Sequence, residues 1–149
     1  MTQTGYDQDF YAWTQVQLVH LRTKDWAVLD LEHVVEEIED LGNEQAHAVV
    51  SHLRILAIHL LKVAYQRRRA RSWLRSIRNA RVEIEWRLQR SPSLRPRLQE
   101  FLAWAYPKAR QAAAEDTGLP LATFPETCPW SLEQLQDEDF LPPAVEADP

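Results

Sequence analysis

The sequence has 149 residues, 45% hydrophobic, 26% charged and 9% aromatic, which fits one ordinary folded domain and excludes an unstructured tail. Seventeen basic and 22 acidic side chains give a formal charge of -5, and a single cysteine, Cys128, excludes an intrachain disulfide and a cysteine-rich zinc site. The polar start, Met1 to Asp9, lacks the pattern of a secretory signal, and the most apolar stretch, Ile55 to Lys62, is far shorter than the roughly 20 residues of a spanning helix. A cytoplasmic protein with no membrane partner is therefore expected.

Three glycines, no Asn-Gly or Asp-Gly turn and no alternating β pattern leave helices as the dominant element. A first helix is expected over 7–22, with Phe10, Trp13, Gln17, Leu18 and Leu21 along one side. Asp30 is placed to cap a second helix, whose stripe Leu31, Val34, Val35, Ile38 and Leu41 lies opposite Glu32, Glu36, Glu39 and Asp40. The stripe resumes beyond Gly42 through Val49, Leu53, Leu56, Leu60 and Val63. An interior glycine costs only about 1 kcal/mol against alanine, so one continuous helix is favoured over two.

Residues 66–71 read as a connector, and Ser72 as the cap of a third helix with Trp73, Ile77, Ala80, Ile84 and Leu88 on one face, ending near Arg90. Ser91-Pro-Ser-Leu-Arg-Pro96 marks the next boundary, with Ser93 able to cap a fourth helix that is kinked near Tyr106 by Pro107 and stopped at Gly118. Residues 119–130 carry three prolines and form a strap held by Leu119, Leu121, Phe124 and Trp130. Ser131 with Gln134 forms a capping box for a short last helix. The expected fold is all-α, an antiparallel helical bundle of about four main helices with a proline-rich strap and one short helix. It forms a single domain over 1–142, followed by a flexible tail at 143–149. The six tryptophans, Trp13, Trp26, Trp73, Trp86, Trp104 and Trp130, are expected to serve chiefly in packing.

Several segments resemble a bacterial family known only as domain of unknown function number twenty-nine, found especially in cyanobacteria and proteobacteria. They are Tyr6-Asp-Gln-Asp-Phe-Tyr-Ala-Trp13, the run from Leu29 to Gly42, His59-Leu-Leu-Lys62, Ser72-Trp73, Ser91-Pro-Ser-Leu94, and the run from Thr117 to Trp130. The resemblance spans residues 6–142 and implies a compact helical fold. It implies no activity, because the family has no established one. Pro107 departs from the polar residue usual at that position.

The charge is unevenly distributed. Residues 1–61 hold 3 basic and 10 acidic side chains, residues 62–97 hold 12 and 2, and residues 98–149 hold 2 and 10. Lys62, Arg67, Arg68, Arg69, Arg71, Arg75, Arg78 and Arg81 follow one another without an acid, and arginine pairs readily with carboxylates and phosphates. If the second and third helices run antiparallel, Glu36, Glu37, Asp40 and Glu44 come within reach of Arg87, Arg90, Arg95 and Arg97. That leaves Arg67, Arg68, Arg71, Arg75 and Arg78, with Trp73, for a partner. The expected function is a non-enzymatic interaction module that binds an acidic protein or a second copy of itself through these residues and needs no cofactor. Nucleic-acid or phosphate binding through the same arginines, with Trp73 stacking on a base, is the second reading. The third is an enzyme or metal site built from His33, Glu36, Glu37, His52 and His59. It lacks the second Glu-x-x-His pair that a di-iron bundle needs.

Overall fold

The computed structural model describes residues 5–146, which are helical with no strand among them. The helices are α1 (Phe10–Thr23), α2 (Leu31–Tyr65), α3 (Arg71–Arg90), α4 (Leu98–Thr117) and the short α5 (Leu132–Gln136). A 3-10 turn, Pro92–Arg97, joins α3 to α4, and a second, Leu121–Thr123, lies in the strap. The fold is the expected all-α bundle. Contacts gather the chain into two compact units, residues 1–44 and 45–149.

In the first unit, Asp9 caps α1 by accepting the Ala12 amide, and Lys24 ends the helix in the left-handed conformation with φ of 56°. Trp13 and Gln17 are the buried residues of α1. Phe10, Leu18 and Leu21, expected beside them, stay exposed. Both buried side chains fasten the start of α2: the Trp13 indole donates to the Asp30 carboxylate at 3.0 Å, and the Gln17 amide oxygen accepts the Asp30 backbone N–H at 2.8 Å. Tyr6 packs edge-on against Trp13 at 4.9 Å and Phe10 at 5.7 Å.

Helix α2 continues through Gly42 without a break, as the phase of its stripe predicts. A Cβ at Gly42 would meet nothing within 4 Å, so this glycine is not required by close packing. By length and composition alone α2 is long and apolar enough to cross a membrane, contrary to the expectation drawn from the short stretch at 55–62. A core helix passes the same test, and 44% of the apolar window is buried in the fold.

The second unit contains the core. Val49, Leu53, Leu56, Leu60 and Leu61 of α2 meet Ile77, Ile84 and Leu88 of α3, Phe101, Leu102 and Ala109 of α4, and Phe124 and Leu135 from the C-terminal segment. Three contacts set the direction of α2 against α3: Lys62 over Trp73, His52 beside Glu83, and Arg87 bonded to Gln45. As the residue number rises on one helix it falls on the other, so the pair is antiparallel. Lys62 also meets Asp116 near the end of α4, which makes α4 antiparallel to α3.

Several details depart from the sequence reading. Helix α3 begins at Arg71 with Ala70 as a cap that offers no side-chain bond, so Ser72 lies inside the first turn, and Ser93 lies inside the 3-10 turn. Helix α4 includes Pro107 and ends at Gly118, whose φ of 70° suits glycine. The strap is held by buried Phe124 and by half-buried Leu119 and Trp130, but Leu121 is exposed. The Ser131–Gln134 capping box is present. The chain does not fray at Pro142. That proline is buried, and the Val145 amide donates to the Ala64 carbonyl at 2.8 Å. Of the expected tail, 147–149 lie outside the described residues. Trp26, Trp86 and Trp104 are about half exposed or more, so packing accounts for only part of the tryptophan set.

Candidate functional site

Helix α2 stops after Tyr65, and Arg67 adopts a φ of 49°, a left-handed conformation that a non-glycine residue takes at a cost of about 1–2 kcal/mol. This reversal starts the connector 66–70 and turns the chain into α3. Arg67, Arg68, Arg71, Arg75 and Arg78 are all exposed, and among the described residues none has a carboxylate within 4 Å. The first turn of α3 has no acidic residue. Arg71 therefore sits where the helix dipole favours negative charge, a local mismatch that an anionic partner would relieve.

Trp73 is half buried. The Lys62 ammonium lies 4.9 Å and the Arg68 guanidinium 5.5 Å from its ring centre. The ring already holds two cations, so its place in this face is to hold Arg68 against the fold rather than to offer an open surface for a base. Along α3, Arg71, Leu74, Arg75 and Arg78 line a shallow trench of about 250 Å³. Leu74 and Arg78 also line the adjoining groove of about 550 Å³, together with Ile77, Arg81, Glu138 and Asp139. The two form one strip with a leucine and isoleucine floor, an arginine rim and carboxylates at the far end.

Of the four arginines expected to meet the acids of 36–44, three are occupied, with partners different from those expected, and Arg90 is exposed. Arg95 pairs with Glu85 at 2.6 Å, Arg97 with Glu100 at 3.1 Å, and Arg87 donates to the Gln45 side chain at 3.1 Å. Short reach explains the first two pairs: Glu85 and Glu100 lie close to Arg95 and Arg97 in sequence and need no long-range alignment. The Arg95 guanidinium holds the Glu85 carboxyl below the usual carboxylate range.

Sequence pattern placed Arg81 in the exposed basic run, whereas it is buried and the most structural arginine. It is only 6% exposed. Its Nε donates to the Leu135 carbonyl at 2.8 Å, and its terminal nitrogens reach the Gln134 and Glu138 carbonyls at 3.4 and 3.5 Å. The signal was its register, four residues after Ile77 and three before Ile84, on the face that enters the core.

The histidines and carboxylates considered as a catalytic or metal set have separate partners. His33 Nδ1 is 2.7 Å from Asp30 and its ring stacks on Tyr6 at 4.1 Å; Glu37 accepts the Tyr6 hydroxyl, and Glu36 is exposed. The Glu37 bond pushes the Tyr6 pKa up to about 12. His52 Nε2 is 3.9 Å from Glu83, whereas His59 Nδ1 is buried with no partner. Burial lowers the pKa of both, and for His59 the nearby Lys62 lowers it further. Among the described residues, no three His, Cys, Asp or Glu side chains are grouped to hold a metal ion.

The Asp30–His33 pair makes the first unit sensitive to pH. The Asp30 hydrogen bond holds His33 above its ordinary pKa, so that contribution is complete below the usual histidine value and is lost as pH rises through the raised one. The His33 hydrogen bond holds Asp30 below its ordinary pKa, and this contribution disappears as pH falls through the lowered value. The pair is strongest between about pH 4 and 6.5. In an NMR titration, Asp30→Asn should move the His33 midpoint down towards the ordinary value. An unchanged midpoint would show that Asp30 does not control it.

The class of protein these elements define is an all-α bundle that presents an arginine-rich turn and helix. The chain belongs to the family described as Domain of unknown function DUF29, whose model matches residues 5–141. Comparison with curated proteins and with solved structures gives no match.

Proposed function

We propose that this chain is a bacterial, cytoplasmic, non-enzymatic interaction module that binds an acidic protein segment through Arg67, Arg68, Arg71, Arg75 and Arg78. One observation carries the reading: among the described residues these five cations stand exposed with no carboxylate partner on one turn and one helix, while Arg81, Arg87, Arg95 and Arg97 are engaged within the fold. The apolar floor beside them gives an acidic segment something to bury. Nucleic acid is less well matched, since Trp73 is covered by Lys62 and Arg68 and offers no open face for a base.

Reversing Arg68, Arg71 and Arg75 to glutamate places like charges across such an interface. That costs several kcal/mol, or about a hundredfold or more in affinity. Helicity by circular dichroism should be unchanged, because all three side chains are exposed. Affinity purification from the host, with and without nuclease, should yield a stoichiometric acidic protein that the variant loses. Nuclease-sensitive recovery would assign the arginines to nucleic acid, and a variant that keeps every ligand would refute the arginine face.

A further inference from the structure

Helix α2 presents, over residues 31–44, the chemical complement of the groove on α3. Leu31, Val35, Ile38 and Leu41 form a ridge of large apolar side chains that are 46–63% exposed. Beside the ridge stand Glu32, Glu36, Glu39 and Asp40, all exposed, and among the described residues none of the four has a cation within 4 Å. An unpartnered apolar stripe edged by charge is the mark of an interaction surface.

The strip on α3 has the inverse character. Leu74 and Ile77 floor it, Arg71, Arg75 and Arg78 edge it, and Glu138 and Asp139 stand only at its far end. Leu31 to Leu41 covers ten residue steps, about 15 Å of helix, and the arginine edge from Arg71 to Arg78 seven, about 10 Å, so the edge spans most of the ridge. Carboxylates beside the ridge meet guanidinium groups beside the groove, and apolar side chains meet an apolar floor.

We infer that the α3 groove receives residues 31–44 of a second copy of this chain. This rests on the arginine face being a binding surface and names its occupant. The acidic ridge of one copy thus lies on the arginine groove of another, the two contact surfaces coming from copies of the same chain.

The test is a charge exchange between copies, read by light scattering during size exclusion over a range of concentrations. The wild-type chain should associate in a concentration-dependent way that weakens with salt. Variant Arg71→Glu/Arg75→Glu/Arg78→Glu and variant Glu32→Lys/Glu36→Lys/Glu39→Lys should each be monomeric. Circular dichroism checks that both remain folded, as expected for exposed positions. Mixed together, the ridge of each variant again faces a groove of opposite charge on the other, and the two should associate. A wild-type monomer at every concentration overturns the inference, as does a dimer that survives in both variants or a mixture that stays monomeric. If the wild type is monomeric but its arginines still capture an acidic host protein, this inference fails while the proposed function stands.

Discussion

Phe101→Ala is expected to destabilise the protein by about 3–5 kcal/mol, the range for removing a large buried aromatic side chain. Phe101 is completely buried on α4 in the core formed with α2 and α3. Its ring lies 5.7 Å from Trp104, and the Arg97 guanidinium sits 4.8 Å from its centre. Truncation removes the transfer energy of the ring, leaves a cavity, and takes away the surface on which Arg97 rests. At this chain length each kcal/mol moves Tm by roughly 2–4 °C, so the midpoint should fall by about 10 °C. Calorimetry on wild type and variant measures this. A fall of only one or two degrees would mean that the three helices close around the gap.

Arg81→Ala is expected to cost about 2–4 kcal/mol, by a different route. The guanidinium is buried and supplies donors to the carbonyls of Gln134, Leu135 and Glu138. The Gln134 carbonyl also accepts the Asp137 amide at 3.3 Å, whereas Leu135 and Glu138 lie at and beyond the C-terminal end of α5, where the helical ladder runs out. Without Arg81 the Leu135 and Glu138 carbonyls lose its guanidinium donors, and its hydrocarbon stem leaves the core as well. Arg81→Met keeps much of the stem and removes the fork, so it should recover part of the loss. Arg81→Lys should recover little, because an ammonium cannot serve three carbonyls in the fixed plane of a guanidinium. Backbone amide exchange should accelerate selectively over 132–141 in the alanine variant. Unchanged protection there would mean that the capping box and Leu135 hold α5 without Arg81.

The candidate face was legible in the sequence because it is a property of composition: arginines crowded into a connector and the first half of a helix. The continuity of α2 was legible for a related reason, since the apolar stripe keeps its phase across Gly42. The charge partners were not. Sequence placed Arg87, Arg90, Arg95 and Arg97 near the acids of 36–44, whereas Arg95 and Arg97 take Glu85 and Glu100. Small differences in side-chain reach decide among exposed ion pairs, and no periodicity encodes them. The ending at Pro142 was misjudged in the same way, because proline breaks a helix whether or not the chain beyond it is buried.

The sequence by itself determined the helices, the boundary at Gly118, the capping box at Ser131 and the basic stretch, all of which follow from local backbone preference and 3.6-residue periodicity. Only the tertiary structure decided that Arg81 serves the carbonyls of Gln134, Leu135 and Glu138, and that Trp73 is covered by two cations. It alone fastened Val145 to Ala64. These outcomes depend on which groups meet across large sequence separations, where the burial of one side chain is set by the shape of another element and not by its own neighbours in the chain.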